Sequence, residues 1–177
     1  MKPIMSKIIL LAGIATLAAS PAGAHVSLEN RQATIGASYK AVFTVPHGCA
    51  GSATIRIRVQ IPEGVIAVKP MPKAGWSVEA ISGKYAADYT YHGKKFSEGV
   101  KEVVWSGGKL PDGHYDEFVI SSYLTGNLKP NSMLYFPVVQ ECEQGVSRWI
   151  DIPAQGHGAH SHDDKSPAPG IKLMPKP

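Results

Sequence analysis

The sequence predicts an all-β fold, an immunoglobulin/fibronectin-like antiparallel β-sandwich. Three observations carry that expectation. Residues 53–62, "ATIRIRVQIP", alternate apolar and polar side chains with a period of two, the pattern of a half-buried strand. Eight more short runs rich in β-branched and aromatic residues recur along the chain, separated by turns bearing Gly, Pro, Asn or Asp. No amphipathic stretch is long enough for a stable helix. Nine short strands in about 130 residues are the signature of a sandwich.

Residues 1–24 read as a signal peptide. Lys2 and Lys7 give a positive start, "IILLAGIATLAA" is an apolar run of 12, and Ala22-Gly23-Ala24 supplies small residues for a cut after Ala24. Twelve residues fall short of the roughly 20 that span a bilayer, and no longer apolar stretch follows. The expectation is an exported, soluble protein without a membrane anchor once the signal is cleaved. Losing Lys2 and Lys7 lowers the formal charge from +4 to +2. No basic stripe remains, so nucleic acid is not expected as a partner.

The cut would leave His25 as the first residue, and "HVSLENRQATIGAS" runs from it almost directly into the strand "YKAVFTVP". The turn "HGCAGS" places His47 and Cys49 at that strand's end. Residues 53–62 follow, with Ile55, Ile57, Val59 and Ile61 on one face and Thr54, Arg56, Arg58 and Gln60 on the other. Then come "GVIAVKP", "WSVEAI", "YAADYTYH", "VKEVVW", "EFVISSYL", "MLYFPVVQ" and "SRWIDIP". The domain is expected to end at residue 153. Residues 154–177 carry many Gly, Pro, His and charged residues and few large apolar ones, a composition expected to be disordered.

Cys49 and Cys142 are the only cysteines. In an oxidising compartment an even count favours a disulfide, and a pair of thiolate metal ligands is the alternative. Gly-rich phosphate loops, Cys-x-x-Cys, His-Glu-x-x-His and Gly-x-Ser-x-Gly are all absent. An N-terminal His can bind one metal through its α-amine and ring Nδ1. An α-amine with a pKa near about 8 is readily freed for the purpose, and two such nitrogens suit tetragonal Cu(II). Read conservatively, His25 is whatever followed the cleavage site. His47 is a turn residue or a ligand, and Trp149 is core or a site residue. Trp76 and Trp105 read as core. Glu29, Glu141 and Glu143 are further carboxylates without a distinguishing feature, and "HGAHSHDD" in the tail is a solvated linker or a loose metal trap.

The stretches "AHVSLE", "FTVPHGC", "TIRIRVQIPEGVIAVKPMPKAGW", "VVWSGGKLPDGHYDEF" and "LYFPVVQECEQGVSRW" resemble the YcnI-like family of exported bacterial copper-binding proteins, in the proteobacterial branch with paired cysteines. The resemblance covers nearly all of residues 24–153. It implies a sandwich that binds Cu(II) through an N-terminal histidine giving amine and ring nitrogen, with a carboxylate and a nearby tryptophan. His25 matches the first and Trp149 the last. Family members without the cysteines place a glutamate near the segment equivalent to "VPHGC". Here that segment has His47 and no acid, which suggests His47 as the substitute ligand, or Glu141 or Glu143 carried close by Cys142. The function implied is a periplasmic copper carrier or chaperone, with copper as cofactor or cargo and another periplasmic copper chaperone or cuproenzyme as partner. Two alternatives differ in class. One is a copper-dependent monooxygenase with a two-histidine brace, and the other a structural sandwich without metal.

Overall fold

A computed structural model describes residues 25–153 and 166–176. The expected signal peptide and residues 154–165 lie outside the described residues. Twelve strands form: β1 (Ser27–Leu28), β2 (Gln32–Thr34), β3 (Ala37–Val45), β4 (Thr54–Gln60), β5 (Val65–Pro70), β6 (Ser77–Tyr91), β7 (Lys94–Leu110), β8 (Asp116–Leu124), β9 (Met133–Tyr135), β10 (Val138–Cys142), β11 (Val146–Trp149) and β12 (Gly170–Met174). No helix occurs among the described residues, so none there is long and apolar enough to cross a membrane.

The strands build a sheet in the order β1-β3-β8-β5, a second in the order β11-β10-β4-β7-β6, and a small third, β2-β12-β9. Alternation decides what each strand contributes. Ala41, Phe43 and Val45 of β3 and Phe118 and Ile120 of β8 face Ile57 and Val59 of β4 and Val103 and Trp105 of β7, and all belong to one buried cluster. Trp105 is fully buried, as expected for core. Trp76 is half-buried and meets the Phe118 ring edge-on at 5.1 Å.

Local chemistry explains three departures from the strand list read in the sequence. "MLYFPVVQ" is two strands, because the chain leaves the small sheet at Phe136 and enters the five-stranded sheet after Pro137, which has no N–H to donate to a ladder. "WSVEAI" and "YAADYTYH" are joined in the single long β6, with an irregularity between Lys84 and Tyr89. Thr54, read on the outward face, is fully buried. Opposite the step from Glu141 to Cys142, β4 carries one extra residue, Ile55, so the inward phase changes there.

The hairpin of β6 and β7 turns at His92 and Gly93, whose φ values of 49° and 73° fit a type I′ turn. Glu63, between β4 and β5, anchors it. Its carboxylate accepts from the Ala86 N–H at 2.9 Å, the Tyr89 hydroxyl at 2.9 Å and the Lys101 ammonium at 2.7 Å. Burial pushes the Glu63 carboxyl upward, but these donors outweigh it and hold the carboxyl below its usual range. The Tyr89 phenol is pushed up to about 12, chiefly by burial and then by Glu63.

The expected disordered tail needs correction. Residues 170–174 form β12, which pairs parallel to β2 and antiparallel to β9. Ile171 and Leu173 are buried in the main core. "GIKLM" alternates just as "IRIRV" does, and its signal was diluted by the Gly, Pro and charged residues around it. The domain therefore extends beyond residue 153.

Two outcomes follow. Ile171→Ala and Leu173→Ala should each lower unfolding free energy in urea by about 2–5 kcal/mol, the usual range for emptying a buried aliphatic site. Glu63→Gln should be less stable than the parent at neutral pH. A depressed carboxyl stabilises the fold above its unfolded value, about 4.3, and loses that contribution as pH falls through the folded value. The gap between the two melting temperatures should therefore close on acidification.

Candidate functional site

β10 determines what the site can contain. Its residues Val138, Gln140 and Cys142 point inward, while Val139 and Glu141 face out. Cys142 is bonded to Cys49, with the two Cα atoms 6.0 Å apart. That settles the cysteine alternatives in favour of the disulfide. Cys49 follows β3 in one sheet and Cys142 ends β10 in the other, so the bond ties the two layers at one end of the sandwich.

Two positions earlier on both segments the link repeats without covalency. Gln140 Nε2 donates to the His47 carbonyl at 2.7 Å and to Thr54 Oγ1 at 2.8 Å. Its Oε1 accepts from the Trp149 indole N–H at 3.0 Å. Gln140 is 1 % exposed, and its partners fix which amide atom is which: an indole N–H can only donate and a carbonyl can only accept. Trp149 is 8 % exposed and packs in the core cluster, so the core reading holds for this residue. Its remaining surface meets His25. The imidazole stands edge-on to the indole, with ring centroids 5.2 Å apart at 83°.

His25 is exposed, but its position is not loose. Val26 and Leu28 beside it are buried, and β1 pairs Ser27 with Thr44. His25 therefore precedes by two residues a strand paired with the end of β3, the strand that leads into His47. The His47 ring is half-buried and its Nδ1 faces the Gly48 carbonyl. A carbonyl cannot donate, so Nδ1 is the donor in this contact. Metal-binding histidines commonly use this arrangement, with the far N–H held by a backbone carbonyl.

The turn after β3 is fixed from several sides. Asp112 Oδ1 accepts from the backbone N–H groups of Gly48 at 3.0 Å and Gly51 at 3.3 Å. Cys49 and Ser52 exchange backbone hydrogen bonds, and the Ser52 hydroxyl accepts from the Gln144 N–H at 2.8 Å. The backbone passes so close to itself that a β-carbon on Gly48 would collide with the Ser52 carbonyl oxygen.

Two of the three carboxylates considered from sequence, Glu141 and Glu143, are committed elsewhere. Glu141 lies on the outward face with Arg56 at 3.1 Å and Arg58 at 3.8 Å, and Glu143 pairs with Lys109 at 2.6 Å. Among the described residues no three His, Cys, Asp or Glu side chains converge as a metal cage. Two contributors escaped the sequence reading. Gln140 had a visible signal, a polar residue in the inward phase set by Val138 and Cys142. Asp112 had none, because nothing local in "LPDGHY" reveals that its carboxylate reaches a turn 64 residues earlier. The expectation of no acid near "VPHGC" is true of the sequence and not of the space around it.

A family described as "Domain of unknown function (DUF1775)" matches residues 25–173, which reaches into β12. No curated protein matches the chain. Among solved structures, an uncharacterized protein from Nocardia farcinica, described as having an immunoglobulin-like fold, is similar at 24 % identity with a TM-score of 0.61. The match covers 85 % of this chain and 98 % of that one. It supports the predicted fold class, an immunoglobulin-like sandwich.

Gly48→Ala should destabilise the oxidised protein by about 1–3 kcal/mol or more, the scale of forced overpacking. Gly113→Ala, where a β-carbon meets open space, should be nearly neutral. Urea unfolding of the two variants side by side checks the contrast.

Proposed function

We propose that this chain, which belongs to the DUF1775 family, the domain of the YcnI-like proteins, is an exported Cu(II) carrier whose cargo site is built on His25. The observation that carries the reading is the seat of that residue. An exposed imidazole rests against a buried, hydrogen-bonded indole, at the position that cleavage after Ala24 would turn into the mature N-terminus.

The donor chemistry fits copper. Cleavage frees an α-amine on the residue that already presents the imidazole, so one residue supplies two nitrogens to one ion. His47, whose backbone carbonyl is tied through Gln140 to the indole that seats His25, is the second imidazole assigned to the site. The indole of Trp149 is a poor donor; it serves as an apolar wall on one side of the histidine. A site built on one terminal chelate and open to solvent at His25 suits loading and release better than permanent retention. That favours a carrier or chaperone in the periplasm, handing copper to another copper protein there, over a catalyst.

Protein processed to begin at His25 should bind Cu(II) tightly with a nitrogen-rich EPR spectrum. A form with one alanine ahead of His25 has the same fold but an amide in place of the amine, and should lose that spectrum. His47→Ala should weaken binding by on the order of 10- to 100-fold, a loss that even an outer-shell partner can produce. Equal binding by the two N-terminal forms would sink the reading.

A further inference from the structure

A fully buried glutamine is costly unless every polar atom is paired, and an apolar side chain of similar size would fill the same space without that risk. Position 140 lies between inward-facing Val138 and Cys142 on β10. Its amide nevertheless makes three hydrogen bonds, to Trp149, His47 and Thr54. Two of these partners belong to the candidate site, and they arrive from separate elements: Trp149 ends β11 and His47 follows β3.

We propose that Gln140 is the positioning residue of the site, coupling the Trp149 indole that seats His25 to the backbone that presents His47. The metal aspect rests on the copper reading above; the coupling does not. The indole N–H is buried, and Gln140 Oε1 is its acceptor. Without that acceptor the ring must turn to find another partner, moving the surface on which His25 rests. Without the Nε2 donor, the His47 carbonyl loses one of the constraints on the turn. A single side chain therefore sets both histidines in one frame, which a purely space-filling residue could not do.

The test uses Gln140→Met, which keeps volume and removes the amide, and Trp149→Phe, which keeps an aromatic ring and removes the indole N–H. Metal-free protein beginning at His25 is compared by NMR. In Gln140→Met the Trp149 indole N–H should shift and exchange about tenfold faster, the equivalent of one net hydrogen bond, and the His25 and His47 ring resonances should both move. In Trp149→Phe the Gln140 side-chain amide and the His47 ring should both respond. Cu(II) EPR of Gln140→Met should then show a mixture of species where the parent shows one. Unchanged indole and imidazole signals in Gln140→Met overturn the proposal. If that variant does not fold, a silent His47 in Trp149→Phe overturns it instead. A parent protein that binds no Cu(II) defeats the copper reading alone, and the metal-free signals still decide the role of Gln140.

Discussion

The bond between Cys49 and Cys142 is the constraint on which the site end of this sandwich depends. It closes a loop of 93 positions, for which the chain-entropy treatment gives about 4–5 kcal/mol. Its placement matters more than its magnitude. The hydrogen bond from Gln140 to His47 spans the same separation of 93, so the two links are successive rungs between β10 and the turn after β3. The covalent rung fixes the spacing at which the hydrogen-bonded one can form. Asp112 and the tight backbone at Gly48 then remove most of the remaining freedom of that turn.

Polarity inside the protein is distributed unevenly. Among the described residues, the buried polar side chains are Thr54, Ser122, Thr125 and Gln140, and two of the four belong to the network behind His47 and Trp149. Elsewhere the space between the sheets is filled by Phe, Ile, Val, Leu and Trp. Directional side-chain bonding is thus densest at one end of the core, with single bonds such as Ser122 to the Tyr39 carbonyl and Trp105 to the Met71 carbonyl elsewhere. Apolar packing tolerates small shifts, whereas hydrogen bonds at 2.7–3.0 Å hold particular atoms in particular places.

Much of this was legible in the sequence because alternation reports burial directly. The strands of both large sheets apart from the two-residue β1, the pairing of the cysteines and the core role of Trp105 follow from residue type and period. His25, His47 and Trp149 could be singled out, and the structure brings His25 to Trp149 by direct contact and His47 to Trp149 through Gln140. Three features resisted for distinct physical reasons. The inward turn of Thr54 depends on a bulge, and a bulge is a relation between strands that neither sequence alone displays. The reach of Asp112 to Gly48 and Gly51 is a tertiary event between two turns. β12 was overlooked because a five-residue strand is shorter than any window over which composition is informative, although Ile171 and Leu173 keep the correct period.

The pairing of β12 with β2 also bears on how the protein is made. Lys172 lies beside Gln32, a contact between chain segments about as far apart as this molecule allows. Such contacts carry the largest closure entropy and form late. A polypeptide emerging N-terminus first can close β3 against β8 before residues 170–174 arrive. β2 must wait for residues 170–174. β2, which lies soon after His25, is therefore available early and paired late.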